Sequence, residues 1–129
     1  MPTASKRDAP VAIDSPEATI RQVDVDGYTV IFNTFKTDAD PALLFRGLPD
    51  NACQCPHWGI VLAGTLVFRY VDREETHAAL DAYYAPPGHV PLSSSNTQTI
   101  EFSPAAELRA TMAVVGRNIQ QLAEHGSHE

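Results

Sequence analysis

The chain has 129 residues, 43% of them hydrophobic and 8% aromatic, which suits one domain with a real core. Its 9 Lys and Arg stand against 16 Asp and Glu, a net charge of −7. That acidic balance, with no basic cluster, argues against nucleic acid or an anionic membrane surface as partner.

The N-terminal stretch MPTASKRDAPVAIDSP has no apolar core of the kind a signal peptide needs, and no apolar run approaches the roughly 18 residues of a membrane span. A cytoplasmic location with reduced thiols is therefore expected. Residues 1–17 are polar and aperiodic, so they are expected to form a mobile arm. From Thr19 the pattern becomes strand-like: TIRQVDV, then Tyr28 to Phe35 after the turn signal Asp26-Gly27, then IVLAGTLVFRYV, DAYYAP and QTIEF. Gly64, the acidic stretch Asp72 to Glu75 and Pro87-Gly88 punctuate these runs. Short strands without intervening helices predict an antiparallel barrel or sandwich over residues 18–103.

A helix is predicted over residues 104–125, with Ser103 as its cap and Pro104 at its first position. Leu108, Met112, Val115, Ile119 and Leu122 recur at helical spacing, opposed by Arg109, Arg117, Asn118 and Gln121. That amphipathic stripe would pack on its own barrel or cross to a partner subunit. The final HGSHE reads as a solvated tail.

Two segments can carry chemistry. CQCPHWG, residues 53–59, holds both cysteines and the lone tryptophan. If it is extended, Cys53, Cys55 and His57 share one face while Trp58 and Ile60 take the other. Pro56 favours extended backbone before it, yet it cannot donate to a ladder. A Cys53–Cys55 disulfide would close a strained ring. In YYAPPGHVP, Pro86-Pro87-Gly88 forms a rigid turn that delivers His89. Both cysteines can equally be small buried apolar groups, with His57 hydrogen-bonded to His89 or to backbone.

The segment HWGIVLAGTLVFRYVDREETHAALDAYYAPPGH resembles the two consecutive motifs of the cupin family of small β-barrels. VLAGTLVFRY is similar to its first hairpin and LDAYYAPPGH to its second, over about residues 50–103. The resemblance implies an all-β, cupin-like antiparallel jelly-roll barrel carrying a C-terminal amphipathic α-helix. The family's ligand pattern is altered here. With Gly64 as the motif glycine, the family's Glu falls on His57, its His-x-His on Asn51 and Cys53, and its last His on Pro91. Leu80 also stands where a glycine precedes the Asp81 position. The common iron or manganese set is thus replaced by Cys53, Cys55, His57 and His89, a Cys2His2 set that suits zinc, with iron as the alternative. Four such ligands would close a structural site; loss of one cysteine would open it to water or substrate.

Tyr28, Phe32 and Tyr83 are expected to line the barrel, as is Phe102, and Arg69 and Glu101 to orient a bound molecule. Ser93-Ser94-Ser95 has no acid–base partner, while Asp72, Glu74, Glu75 and His77 read as an exposed hairpin region. The pattern leaves two functions open. One is a metal enzyme acting on a small organic molecule by isomerase, lyase, hydrolase or dioxygenase chemistry. The other is a metal-free binding or regulatory module. The resemblance also implies a homodimer.

Overall fold

The computed structural model describes residues 3–126. In chain order these form β1 (Val11–Asp14), β2 (Ala18–Val25), β3 (Tyr28–Phe35), short 3-10 turns at Ala42–Phe45 and Pro49–Asn51, and β4 (His57–Ala63). Then come β5 (Thr65–Arg69), β6 (Glu74–Ala78), β7 (Ala82–Ala85), β8 (Val90–Ser93), β9 (Thr97–Pro104) and helix α1 (Ala105–Gly126). Residues 127–129 of the expected tail lie outside the described residues.

Every strand pair is antiparallel, in a six-stranded sheet ordered β1-β2-β3-β9-β4-β7 and a three-stranded sheet ordered β6-β5-β8. The two sheets face each other as a jelly roll. They are not joined into one closed ladder. The Asp26-Gly27 turn closes the β2–β3 hairpin with both residues at positive φ, as a two-residue hairpin turn requires.

The single run IVLAGTLVFRYV splits into β4 and β5, which belong to different sheets. Gly64 makes this corner at φ 81°, and a Cβ there would collide with the Thr97 side chain and come within 2.8 Å of the Asn96 carbonyl oxygen. Beyond it, Leu66 and Phe68 of β5 are 1% exposed and face inward. Burying each contributes about 1.5–3 kcal/mol. A slip of one residue would put Thr65, Val67 and Arg69 inside instead, so the register is fixed.

Part of the expected mobile arm lies on the sheet. Val11–Asp14 pairs with β2, and Ala9 is buried against Val30 and Phe32. The reason lies in β3, whose two faces are both apolar. Ile31 points between the sheets, while Val30 and Phe32 need a cover on the outside.

Helix α1 begins at Ala105, after β9 has run on through Ser103 and Pro104. Ser103 therefore pairs with Thr29 in the sheet instead of serving as a helix cap. The buried stripe is also rotated from the predicted one. Leu108, Thr111, Val115 and Asn118 are buried, whereas Ile119 and Leu122 are partly exposed. The cause is the turn at Ala42–Phe45: Asn118 donates to the carbonyls of Leu44 (2.7 Å) and Arg46 (2.9 Å), locking the helix to that turn. Helix and turn together close one end of the space between the sheets.

Candidate metal centre

β4 starts only at His57, because Pro56 has no N–H to give a ladder. Before it, Cys53 forms an isolated bridge with His89: Cys53 N–H donates to the His89 carbonyl at 2.8 Å, and Gly88 N–H donates to the Cys53 carbonyl at 2.8 Å. Residues 54–56 bend, and the Gln54 amide holds the bend by donating to the carbonyls of Pro49 (2.9 Å) and Ala52 (3.1 Å). The bend breaks the alternation that would have set Cys53, Cys55 and His57 on one face. Cys53 lines the cavity between the sheets. Cys55 is fully buried in the core, with its thiol 3.5 Å from the Pro56 carbonyl. Asn51 is exposed, its side-chain oxygen accepting from the Gly47 N–H at 3.3 Å.

The Pro86-Pro87-Gly88 turn, with Gly88 at φ 100°, places His89 beside Cys53. His89 is 0% exposed. Its Nδ1 lies 2.7 Å from the Pro86 carbonyl, which can only accept, so Nδ1 carries the proton and Nε2 the lone pair. Nε2 is buried and has no hydrogen-bond partner among the described residues. Burial, with His57 alongside, lowers the His89 pKa to about 4, so this ring is neutral at pH 7.

His57 is tied in the same manner. Its Nδ1 is 2.6 Å from Ser103 Oγ and 3.9 Å from a carboxylate oxygen of Glu101, while Nε2 is 3.7 Å from Cys53 Sγ. One donor atom from each of Cys53, His57 and His89 lies within 4.8 Å of the others, and all three residues are buried. A tetrahedral zinc ion with its usual bond lengths sets sulfur and nitrogen about 3.5 Å apart. The donors present therefore fit a metal ion after a closure of up to about 1.3 Å.

The second-sphere groups fit as well, since ligating imidazoles usually hold their other nitrogen on a carbonyl, hydroxyl or carboxylate. Burial pushes the Cys53 thiol up to about 12. A bound divalent cation reverses that shift and binds the thiolate. Cys55 stays outside the group, which offers three protein donors, Cys53, His57 and His89.

The cavity at this centre is about 130 Å³. On its wall, Tyr83 donates to Glu101 at 2.6 Å. The contact depends on Gly59, which stands between them in the sheet, opposite Tyr83 on β7 and Glu101 on β9. A Cβ on Gly59 would come within 2.7 Å of the Tyr83 hydroxyl and 2.6 Å of the Ile100 carbonyl. Burial, and then the Glu101 charge, raise the Tyr83 pKa far above the ordinary phenol value.

Strand parity separates the remaining expected residues. Glu101 lines the cavity and Tyr83 reaches it through Glu101. Tyr28 is exposed on the outer face beside Trp58, with Phe102 nearby on the same face, and Phe32 lies under the N-terminal segment. Arg69 points outward into a two-pronged ion pair with Asp40, at 3.0 and 3.2 Å. His77 is half-buried against Tyr83 rather than exposed. Two residues of the site had not been assigned to it: Ser103, expected as a helix cap, and Gly59, whose lack of a side chain leaves room for the Tyr83–Glu101 contact. The alternation of TQTIEFSP, which puts Thr97, Thr99, Glu101 and Ser103 on one face, was the signal for the first.

No family model and no curated protein matches the sequence. Solved structures do. An RmlC-like cupin from Shewanella frigidimarina has TM-score 0.53 at 10% identity, over 78% of this chain and 88% of that one. The polyketide cyclase RemF from Streptomyces resistomycificus has TM-score 0.55 at 17% identity, over 81% and 79%. The FeII form of HppE has TM-score 0.56 at 11% identity, over 80% and 60%. Likenesses at this identity show a shared fold, and the fold is that of a cupin.

Proposed function

We propose that this cupin-fold chain is a metal-dependent enzyme acting on a small organic molecule, with the metal held by Cys53, His57 and His89. The observation that carries the reading is the convergence of three buried donors within 4.8 Å around a His89 Nε2 that has no other partner. Zinc is the proposed metal, since a thiolate with two imidazoles suits it. Iron is the alternative, supported by the FeII form of HppE on the same fold. Bound there, the metal would supply Lewis-acid polarisation of a substrate carbonyl, which with zinc fits isomerase, lyase or hydrolase chemistry and with iron also dioxygenase chemistry.

The residues of the chain do the rest. Ser103 and Pro86 orient the two imidazoles, and the two sheets with α1 form the walls of the cavity. Glu101, held by Tyr83, is the group placed to take or return a proton on a bound molecule. Pairing of two copies and a cytoplasmic location belong to the same proposal. Among the described residues no helix is long and apolar enough to cross a membrane.

Metal analysis of the purified protein tests the reading. Near-stoichiometric zinc or iron is expected, lost in His57→Ala and His89→Ala and kept in Cys55→Ala. Protein that takes up no metal and is equally stable in chelator overturns it, leaving a metal-free binding module.

A further inference from the structure

The cavity wall is sorted by charge in a way that its metal donors do not require. None of the chain's nine Lys and Arg lines it. The cations nearest in sequence are turned elsewhere. Between the lining residues Ile20 and Gln22, Arg21 donates to the Ala9 carbonyl at 3.1 Å on the outer side. Next to the lining residue Phe68, Arg69 is held by Asp40 outside. Gln22, Asn33 and Thr111 supply uncharged polar contacts, and among the described residues Glu101 is the one carboxyl group on the wall. Most of the remaining surface is apolar, from Ile31 and Leu66 between the sheets to Leu108 and Met112 of α1.

From this we infer that the cavity selects a small, electrically neutral molecule with an apolar body and a single polar head, and rejects carboxylates and phosphates of the same shape. The inference rests on the proposed metal site only in placing the polar head at Cys53, His57 and His89. An anion entering the cavity would give up its hydration and meet no Lys or Arg side chain on the wall in return. A neutral carbonyl compound gives up much less water and still offers a lone pair to the centre.

The volume narrows the class further. A space of about 130 Å³ compares with the roughly 150 Å³ cavity that takes up benzene, so the part of the ligand held between the sheets has about six to eight non-hydrogen atoms. Binding should then grow with apolar contact rather than with charge, and should respond little to salt.

The test is a titration of full-length protein, zinc-loaded and chelator-treated, with pivalamide and pivalate, two molecules of one shape that differ in charge. Ligand-observed NMR gives both affinities. Pivalamide is expected to bind at least about tenfold tighter than pivalate, and Met112→Trp, which fills the cavity, to abolish its binding. Pivalate binding as tightly as the amide overturns the inference, as does binding of neither. Undiminished binding to folded Met112→Trp also overturns it, since the molecule then sits elsewhere. Preference for the amide in protein that takes up no zinc supports the inference and overturns the metal reading alone.

Discussion

Cys53 and Cys55 are two residues apart, yet they end in different chemical surroundings. The difference comes from Pro56, which delays the ladder to His57 and lets residues 54–56 bend, so one thiol meets the histidines and the other fills the core. The buried thiol of Cys53, raised to about 12, must lose its proton to ligate a metal. His89, with a pKa lowered to about 4, is already neutral and offers no competing proton. One proton is therefore released for each ion bound, and metal binding strengthens as pH rises. Zinc affinity, measured by competition with a chromophoric chelator, is expected to increase about tenfold per pH unit between 7.5 and 9. Cys53→Ser should bind more weakly and lose that slope. A flat profile in the unaltered protein would show that the thiol is not a ligand. At this scale the sequence was informative about residue type and silent about direction, because a bend of three residues reverses a side chain without changing composition.

At the scale of elements, β4, β7 and β9 hold the Tyr83–Glu101 pair in place, and Gly59 is what lets the Tyr83 hydroxyl cross to Glu101. Gly59→Ala is expected to destabilise by about 1–3 kcal/mol in urea unfolding, because the new methyl group presses on the Ile100 carbonyl and on Tyr83. The same change at Gly116, in the interior of α1 with open space around it, is expected to stabilise by about 0.5–1 kcal/mol. Equal effects at the two sites would contradict the tight fit at Gly59. Strand alternation in TQTIEFSP and in TLVFR is kept in the structure, with Glu101, Leu66 and Phe68 inward, whereas Phe102 and Arg69, both expected inside, face out. The helix was legible too, but its rotation was not. Asn118 reads as a polar-face residue, and only the unpaired carbonyls of Leu44 and Arg46 give it a reason to be buried. Likewise Ser103 reads as a helix cap until His57, 46 residues away in sequence, is found to use its hydroxyl.

For the whole molecule, the outer face of the large sheet is half covered by residues 4–10 and half bare. On the bare half, Trp58 lies between Tyr84 and Phe102 on neighbouring strands, and all three are more than two-fifths exposed. Trp58 stacks on Tyr84 with ring centroids 5.0 Å apart, and Tyr28 meets its edge at 6.4 Å. This contiguous aromatic surface is where the proposed pairing of two copies would occur. Sedimentation at micromolar concentration is expected to give twice the chain mass, and Trp58→Ser with Tyr84→Ser to give the single mass. A single mass for the unaltered protein would remove the dimer. Beyond the jelly roll, which the resemblance to cupins implied, the sequence by itself determined most of the strands, the closing helix and the thiol and imidazole character of the site. Those features follow from local periodicity, turn residues and composition, which are properties of neighbouring positions. Only the tertiary structure decided that Cys53 joins His57 and His89 while Cys55 does not, that Arg69 faces out and Glu101 in, and that Asn118 turns the helix. These outcomes depend on groups far apart in sequence competing for the same hydrogen bonds and the same buried space.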